Sequence, residues 1–250
     1  MNSIRIPLAA IAAAIITTTA ASAAPVDLSS WNVDGGGSWT TAADNNSVFQ
    51  SLNSAPTVFH NGTDSQGLSL AGTIKVESTS DNDFIGFVLG YTQGDINGNS
   101  DTDYILVDWK QGTQAGWGAG LSISRVTGPI SASGTNTSAD AWQHVGSVEL
   151  LTRANNLGNT GWSDNTTYAF QINFTSTLIS VLVDGVLELQ VAGSFANGAF
   201  GFYNFSQQSV RYAGITEDIL PPEIPIPGAL PLMLTGMGLV SFLKRRKRKT

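Results

Sequence analysis

The sequence predicts an all-β fold of two packed sheets, a β-sandwich or jelly roll, followed by one C-terminal transmembrane helix. Three observations carry this. Only 12% of the 250 residues are charged, while 27 are Gly, a balance unlike that of helix-rich chains with their many Glu, Lys and Arg. Short apolar runs recur between clusters of Gly, Asn, Ser and Asp. No apolar period of 3.6 residues is sustained before the C-terminal end.

Residues 1–23 read as a secretory signal. Arg5 supplies the positive start, an apolar stretch follows, and Ala21-Ser22-Ala23 gives the A-x-A cleavage pattern, so that the mature chain begins at Ala24. A retained anchor is the alternative, although the apolar run is short for a membrane span. The expected β domain covers 24–218. Its clearest strands are Leu68–Val76, Phe84–Tyr91, Tyr104–Lys110, 121–126, 168–173, Leu178–Val183, 186–191, 200–205 and 210–216, with the first strands drawn from 28–67. Val183-Asp184-Gly185-Val186 predicts a tight hairpin, because an Asp-Gly pair tolerates the positive φ angles that match strand twist.

A Pro-containing linker (219–227) then leads into sixteen uncharged residues, 228–243, and a basic tail, 244–250. As a helix that span covers about 24 Å, against about 30 Å of hydrocarbon core, and the basic cluster holds its end in the cytoplasm. The order of Pro225-x-Pro227, apolar span and Arg/Lys cluster resembles the PEP-CTERM sorting signal of Gram-negative bacteria. The resemblance implies export across the inner membrane, recognition and cutting of the tail by an exosortase, and a cell-surface or matrix location afterwards. This chain has Ile226 between the prolines, where that signal usually carries Glu. A permanent membrane anchor is the alternative.

Charge closes one class of function. Between the terminal segments five basic residues face 19 acidic ones, a balance of −14, whereas nucleic-acid binders need basic groups to neutralise phosphates. With no Cys, disulfides, thiol nucleophiles and Cys-ligated metals are excluded. The acidic excess is mostly Asp, which suits hard cations such as Ca²⁺.

Several segments then resemble one family in order. Asp81-Asn82-Asp83-Phe84-Ile85-Gly86-Phe87-Val88-Leu89-Gly90-Tyr91 is similar to the Asp-rich, Gly-Phe-Val-x-Gly-Tyr stretch of the thrombospondin C-terminal domain. Trp109-Lys110-Gln111-Gly112-Thr113-Gln114 resembles its Trp-Lys-Gln-x-Thr-Gln, and Ala141-Trp142-Gln143-His144 and Gly161-Trp162-Ser163-Asp164 follow in sequence. Phe202-Tyr203-Asn204-Phe205-Ser206-Gln207 falls where that family closes. The resemblance implies a lectin-like jelly roll with bound calcium and a role in adhesion or matrix contact.

Asp81 and Asp83 are the first candidate ligands. Residues two apart on an extended chain point the same way, so both carboxylates can face one ion, with carbonyls and water completing six to eight oxygens. A solvated, turn-capping loop is the bland alternative. The loop 95–103 holds two further candidates, Asp101 and Asp103. It fails as an EF-hand, since its Gly and its twelfth residue are misplaced, and a plain hairpin loop is the competing reading. Among the tryptophans, Trp109, Trp142 and Trp162 suit the core. Trp117, in the Gly-rich stretch Ala115-Gly116-Trp117-Gly118, is the candidate for exposed ligand binding. His60 and His144 do not suggest a His-based site.

No catalytic residue is expected. The five Glu are scattered rather than paired across a bond, and no Gly-x-Ser-x-Gly elbow occurs. The expected function is therefore binding of an extracellular glycan or of a matrix or surface protein. A structural matrix protein without a discrete ligand is the alternative, and a glycoside hydrolase on the same fold is a weaker one.

Overall fold

The structure is a computed structural model that describes residues 23–130 and 137–221. Most of the expected signal segment and of the expected linker, and the whole expected span and basic tail, lie outside the described residues, as do Pro225 and Pro227. Among the described residues no helix is long and apolar enough to cross a membrane.

Two antiparallel sheets face each other. One runs Val186–Ala192, Leu178–Val183, Thr167–Phe174, Leu68–Val76, Val210–Ile219, Ser47–Gln50 and Trp39–Thr41, with Ala24–Pro25 pairing beside the end of Val210–Ile219. The other runs Val148–Arg153, Gly120–Val126, Tyr104–Lys110, Phe84–Tyr91, Ala199–Phe205, Thr57–His60 and Asn32–Gly35. The main core lies between the sheets and alternates along each strand as the pleat demands. Ile85, Phe87 and Leu89 point inward from one strand, and Ile105, Val107 and Trp109 from its neighbour.

The second sheet is buried on both faces. Phe84, Val88, Tyr104, Leu106, Tyr203 and Phe205 form a separate cluster on its outer side. Ile96, Ile130 and Ala141 cover that cluster from a 3₁₀ turn (Asp95–Asn97), a loop and a short helix (Thr137–Gln143). This double coverage explains why Phe84–Tyr91 and Tyr104–Lys110 read as unbroken buried runs rather than alternating ones.

The expected hairpin is present. Asp184 and Gly185 both have positive φ (50° and 78°), and the Asp184 carboxylate accepts the Ala169 amide at 2.8 Å. The strand expected at 210–216 runs on to Ile219, because residues 216–219 pair with 68–71. The helix was not expected, since seven residues are too few to establish a period. The edge strand Val148–Arg153 was missed as well, where a register shift between Leu150 and Thr152 breaks its alternation.

Candidate functional site

The strand Phe84–Tyr91 separates the sequence-predicted ligands into two groups. Asp81 and Asp83 precede it, and the loop with Asp101 and Asp103 follows it, roughly 23 Å away at the rise of an extended chain. The four Asp residues therefore cannot serve one ion.

At the first end the two carboxylates do lie near each other, in different settings. Asp83 is buried. Its Oδ1 meets Lys110 Nζ at 2.5 Å, with the two side chains 4% and 0% exposed. The Asp83 backbone is held too, its amide donating to Gln207 Oε1 (3.0 Å) and its carbonyl accepting from Trp162 Nε1 (3.1 Å). The ammonium also lies over Trp142, 4.3 Å from the ring centroid, and over Phe84 at 4.8 Å. Lys110 thus stands beside Asp83 from within the strand, at a position that shares a face with Asp108.

Asp81 is half-buried at the rim. It accepts hydrogen bonds from Asn53 Nδ2 and, at 3.0 Å, from the Asn82 amide. Its carboxyl is pushed above the ordinary range, first by burial and then by the Asp83 charge, against the opposing pull of the Asn82 amide and Lys110. The Lys110 ammonium thus pairs with Asp83 and acts on Asp81 only through space. Beside it opens a polar cleft of about 410 Å³ lined by Thr79, Ser80, Asp81, Asn82, Thr113 and Gln114. All of these offer oxygen donors and none offers sulfur or imidazole, which fits Ca²⁺ and not zinc. Among the described residues no three Asp, Glu, His or Cys side chains converge as a metal cluster. Calcium here would draw on amide, hydroxyl and main-chain oxygens and water as well as Asp81.

At the other end the loop is held by its own hydrogen bonds. Asp95 is buried and accepts from the Thr92 amide (2.8 Å), Thr102 Oγ1 and Asn99 Nδ2 (both 3.2 Å), while Ile96 enters the outer cluster. The plain solvated loop is corrected in this respect. Asp103 forms a two-pronged pair with Arg125, at 2.6 and 2.5 Å. Asp101 is exposed.

Trp117 is not the freely exposed platform its Gly-rich surroundings suggested. It is half-buried, its ring stacks on His144 at 3.8 Å, and the Arg153 guanidinium lies 4.4 Å from it. Those contacts occupy ring surface that a sugar would need. Trp109 and Trp162 are buried as expected. The sequence reading also missed a buried relay beside them. His144 Nε2 meets Asp108 Oδ2 at 2.9 Å, Ser124 Oγ meets His144 Nδ1 at 2.8 Å, and Ser122 Oγ donates to Asp108 Oδ1 at 2.7 Å. Ser124 is fully buried, so this chain of contacts fixes the helix end to the sheet and does not present a nucleophile. The available signal was two charged residues, Asp108 and Lys110, on one face of an otherwise apolar strand.

A sequence model of the thrombospondin C-terminal region matches residues 35–218. The chain belongs to that family. Thrombospondin-2 of Gallus gallus is 27% identical over 196 residues, covering 71% of this chain and 16% of that protein. Cartilage oligomeric matrix protein of Rattus norvegicus is 24% identical over 212 residues, covering 74% of this chain and 26% of its own length. This thrombospondin C-terminal domain therefore stands in a chain that spans about a sixth of the thrombospondin-2 it matches. Among solved structures, carbohydrate binding module CBM66 from Bacillus subtilis superposes with a TM-score of 0.54 at 9% identity, over 76% of this chain and 95% of that one. The VIP36 exoplasmic/lumenal domain in its Ca²⁺/Man-bound form gives 0.51 at 14%, over 79% and 86%. These likenesses show the shared two-sheet sandwich fold.

Proposed function

We propose that this chain is an exported surface or matrix protein whose thrombospondin C-terminal domain binds calcium and adheres to an extracellular glycan or a matrix or surface protein, without catalysing a reaction. The observation that carries the reading is the oxygen-lined cleft at Asp81, beside the buried Asp83–Lys110 pair. A bound cation would neutralise the Asp81 carboxylate and tie the 79–82 segment to the 111–114 segment. Asp81 is the side chain available to it, with Asp83 behind, since the Asp83 carboxylate already faces Lys110. Asp101 and Asp103 are weaker candidates for a second ion, because Arg125 holds Asp103. Trp117 is the remaining sequence candidate for ligand contact, through its rim only.

The glycan or matrix partner is supported by kinship with cartilage oligomeric matrix protein and by the fold shared with a carbohydrate binding module and with a domain solved with calcium and mannose. Export is supported by the Ala21-Ser22-Ala23 pattern, and an exosortase-cut tail by Pro225, Pro227, the 228–243 span and the basic cluster. In this reading the chain leaves through the inner membrane of a Gram-negative bacterium and is single-pass until processed.

Isothermal titration of the full chain with Ca²⁺, followed by glycan and matrix-protein arrays, tests the proposal. Calcium binding and a reproducible partner are expected. No partner on either array points to structural packing of the matrix instead. Sustained release of reducing ends from host exopolysaccharide, lost on changing one acidic residue, would mark a glycoside hydrolase.

A further inference from the structure

The end of the second sheet opposite Asp81 carries a second polar cleft, of about 470 Å³, where the ends of Thr57–His60 and Phe84–Tyr91 meet the starts of Asn32–Gly35 and Ala199–Phe205. Ligand pockets fall within about 300–1,000 Å³, so the space suits one or two sugar residues. Its rim carries Asn32, Asp64, Thr92 and Asn197, all exposed. Asn197 Oδ1 accepts the Gln66 and Gly198 amides and so holds the neighbouring loop in place. The side chains of Asn32, Asp64 and Thr92 have no hydrogen-bond partner among the described residues.

Behind the lining residues His60, Tyr91 and Gln93 a hydrogen-bonded chain leads to the buried Asp34. Asp34 accepts from Tyr91 Oη (2.7 Å), from the Gly94 amide (2.6 Å) and from Gln93 Nε2. A carboxylate cannot donate, so the Gln93 amide must turn its NH₂ toward Asp34 and its carbonyl toward His60. That carbonyl, 2.9 Å from His60 Nε2, requires the Nε2–H tautomer. His60 Nδ1 is then a bare acceptor, buried and without a partner among the described residues. Burial also holds the imidazole neutral by pushing its pKa below the ordinary histidine value.

We propose that this cleft is a binding site for a neutral saccharide residue. No Lys or Arg lines it, which disfavours phosphate, sulfate or uronate groups. The exposed amides, hydroxyls and one carboxylate of the rim together both donate to and accept from vicinal hydroxyls. Tyr91 is buried and offers no stacking face, so affinity rests on hydrogen bonds. The inference rests on the binding-module reading but not on calcium, whose candidate cleft lies at the far end of the Phe84–Tyr91 strand.

Saturation-transfer NMR of the full chain, in a detergent without a sugar headgroup, tests it with methyl glycosides of glucose, galactose, mannose and fructose. Transfer to at least one neutral glycoside is expected, unchanged by EGTA and absent for methyl glucuronoside. The double variant Asn32→Ala/Asp64→Ala, which alters two exposed and unpartnered side chains, should weaken binding about tenfold or more at unchanged melting temperature. Thr92→Val should weaken it less. No transfer to any neutral glycoside, or transfer untouched by the double variant, overturns the proposal. Transfer abolished by EGTA also overturns it, and would place the sugar at the calcium end while leaving calcium binding intact. Failure of the chain to bind calcium would leave this site standing.

Discussion

Lys110 and Asp83 show how far a single side chain can govern a site. Both are buried, so each ion is held only by its partner and by a few polar and aromatic neighbours. Removing one member of such a pair strands the other charge, which costs about 3–5 kcal/mol, whereas replacing both by apolar residues is often neutral. Lys110→Met should therefore lower stability in urea far more than Lys110→Met/Asp83→Leu. Equal losses would contradict the ion pair. The same reasoning makes Asp81, not Asp83, the residue with which to test calcium, because Asp83→Ala would confound metal loss with unfolding. Glu77 illustrates the milder case. Arg211 grips it with two hydrogen bonds, at 2.8 and 3.1 Å, and holds its carboxyl below the ordinary range. A depressed folded pKa stabilises the fold above the unfolded value and loses that contribution as pH falls through the folded one. Glu77→Gln should therefore cost about 0.5 kcal/mol at neutral pH, discounted because both groups are partly exposed. The difference from wild type should vanish in acid, as urea titrations across pH would show. Little of this pairing was legible beforehand. The Asp81/Asp83 spacing suggested two carboxylates near each other, but nothing in one strand says that Lys110 of the next will stand beside Asp83.

At the scale of elements, pattern served where a strand was buried on both faces or ended in a turn with strict chemistry. Phe84–Tyr91 and Tyr104–Lys110 have the bounds expected of them, since unbroken apolar runs flanked by Asp, Gly and Asn leave few other placements. The Asp184-Gly185 hairpin followed from the two positive φ angles that such a turn needs. Gly185→Ala should cost about 1 kcal/mol, since an L residue pays for the left-handed conformation. Asp184→Asn should be close to neutral, because its Oδ1 can still accept the Ala169 amide. Comparable losses in both variants would show that the turn does not fix the register. Pattern failed where elements are short or irregular. The Thr137–Gln143 helix matters because His144, at φ 50°, ends it in a left-handed residue whose ring reaches Asp108. That placement depends on a tertiary contact which no window of sequence displays. The loop 95–103 left two readings open, an ion site and a plain hairpin loop, for a related reason. Its Asp-rich composition suggests an ion, while Asp95 turns inward to cap the loop's own amides and hydroxyls.

For the molecule as a whole, the sandwich separates two polar ends by the length of its central strands and leaves the chain's described ends side by side. Ala24 pairs with Glu217 in the first sheet, so removal of 1–23 leaves the Ala24–Pro25 strand in place. Intact mass of the protein from its host should accordingly begin at Ala24 and end near Pro227. A species that retains Lys244–Lys249 at steady state would indicate a permanent anchor. The central claim, that the cleft at Asp81 holds calcium in the folded state, is tested most directly by thermal melting of metal-free full chain with Ca²⁺ and with excess chelator. Ligand at about 100 times its dissociation constant adds about 2.7 kcal/mol, or roughly 5–10 °C for a domain of this size. The account predicts that rise for wild type and for Asp184→Ala, with most of it lost in Asp81→Ala. Identical melting of wild type with calcium and with chelator would contradict it.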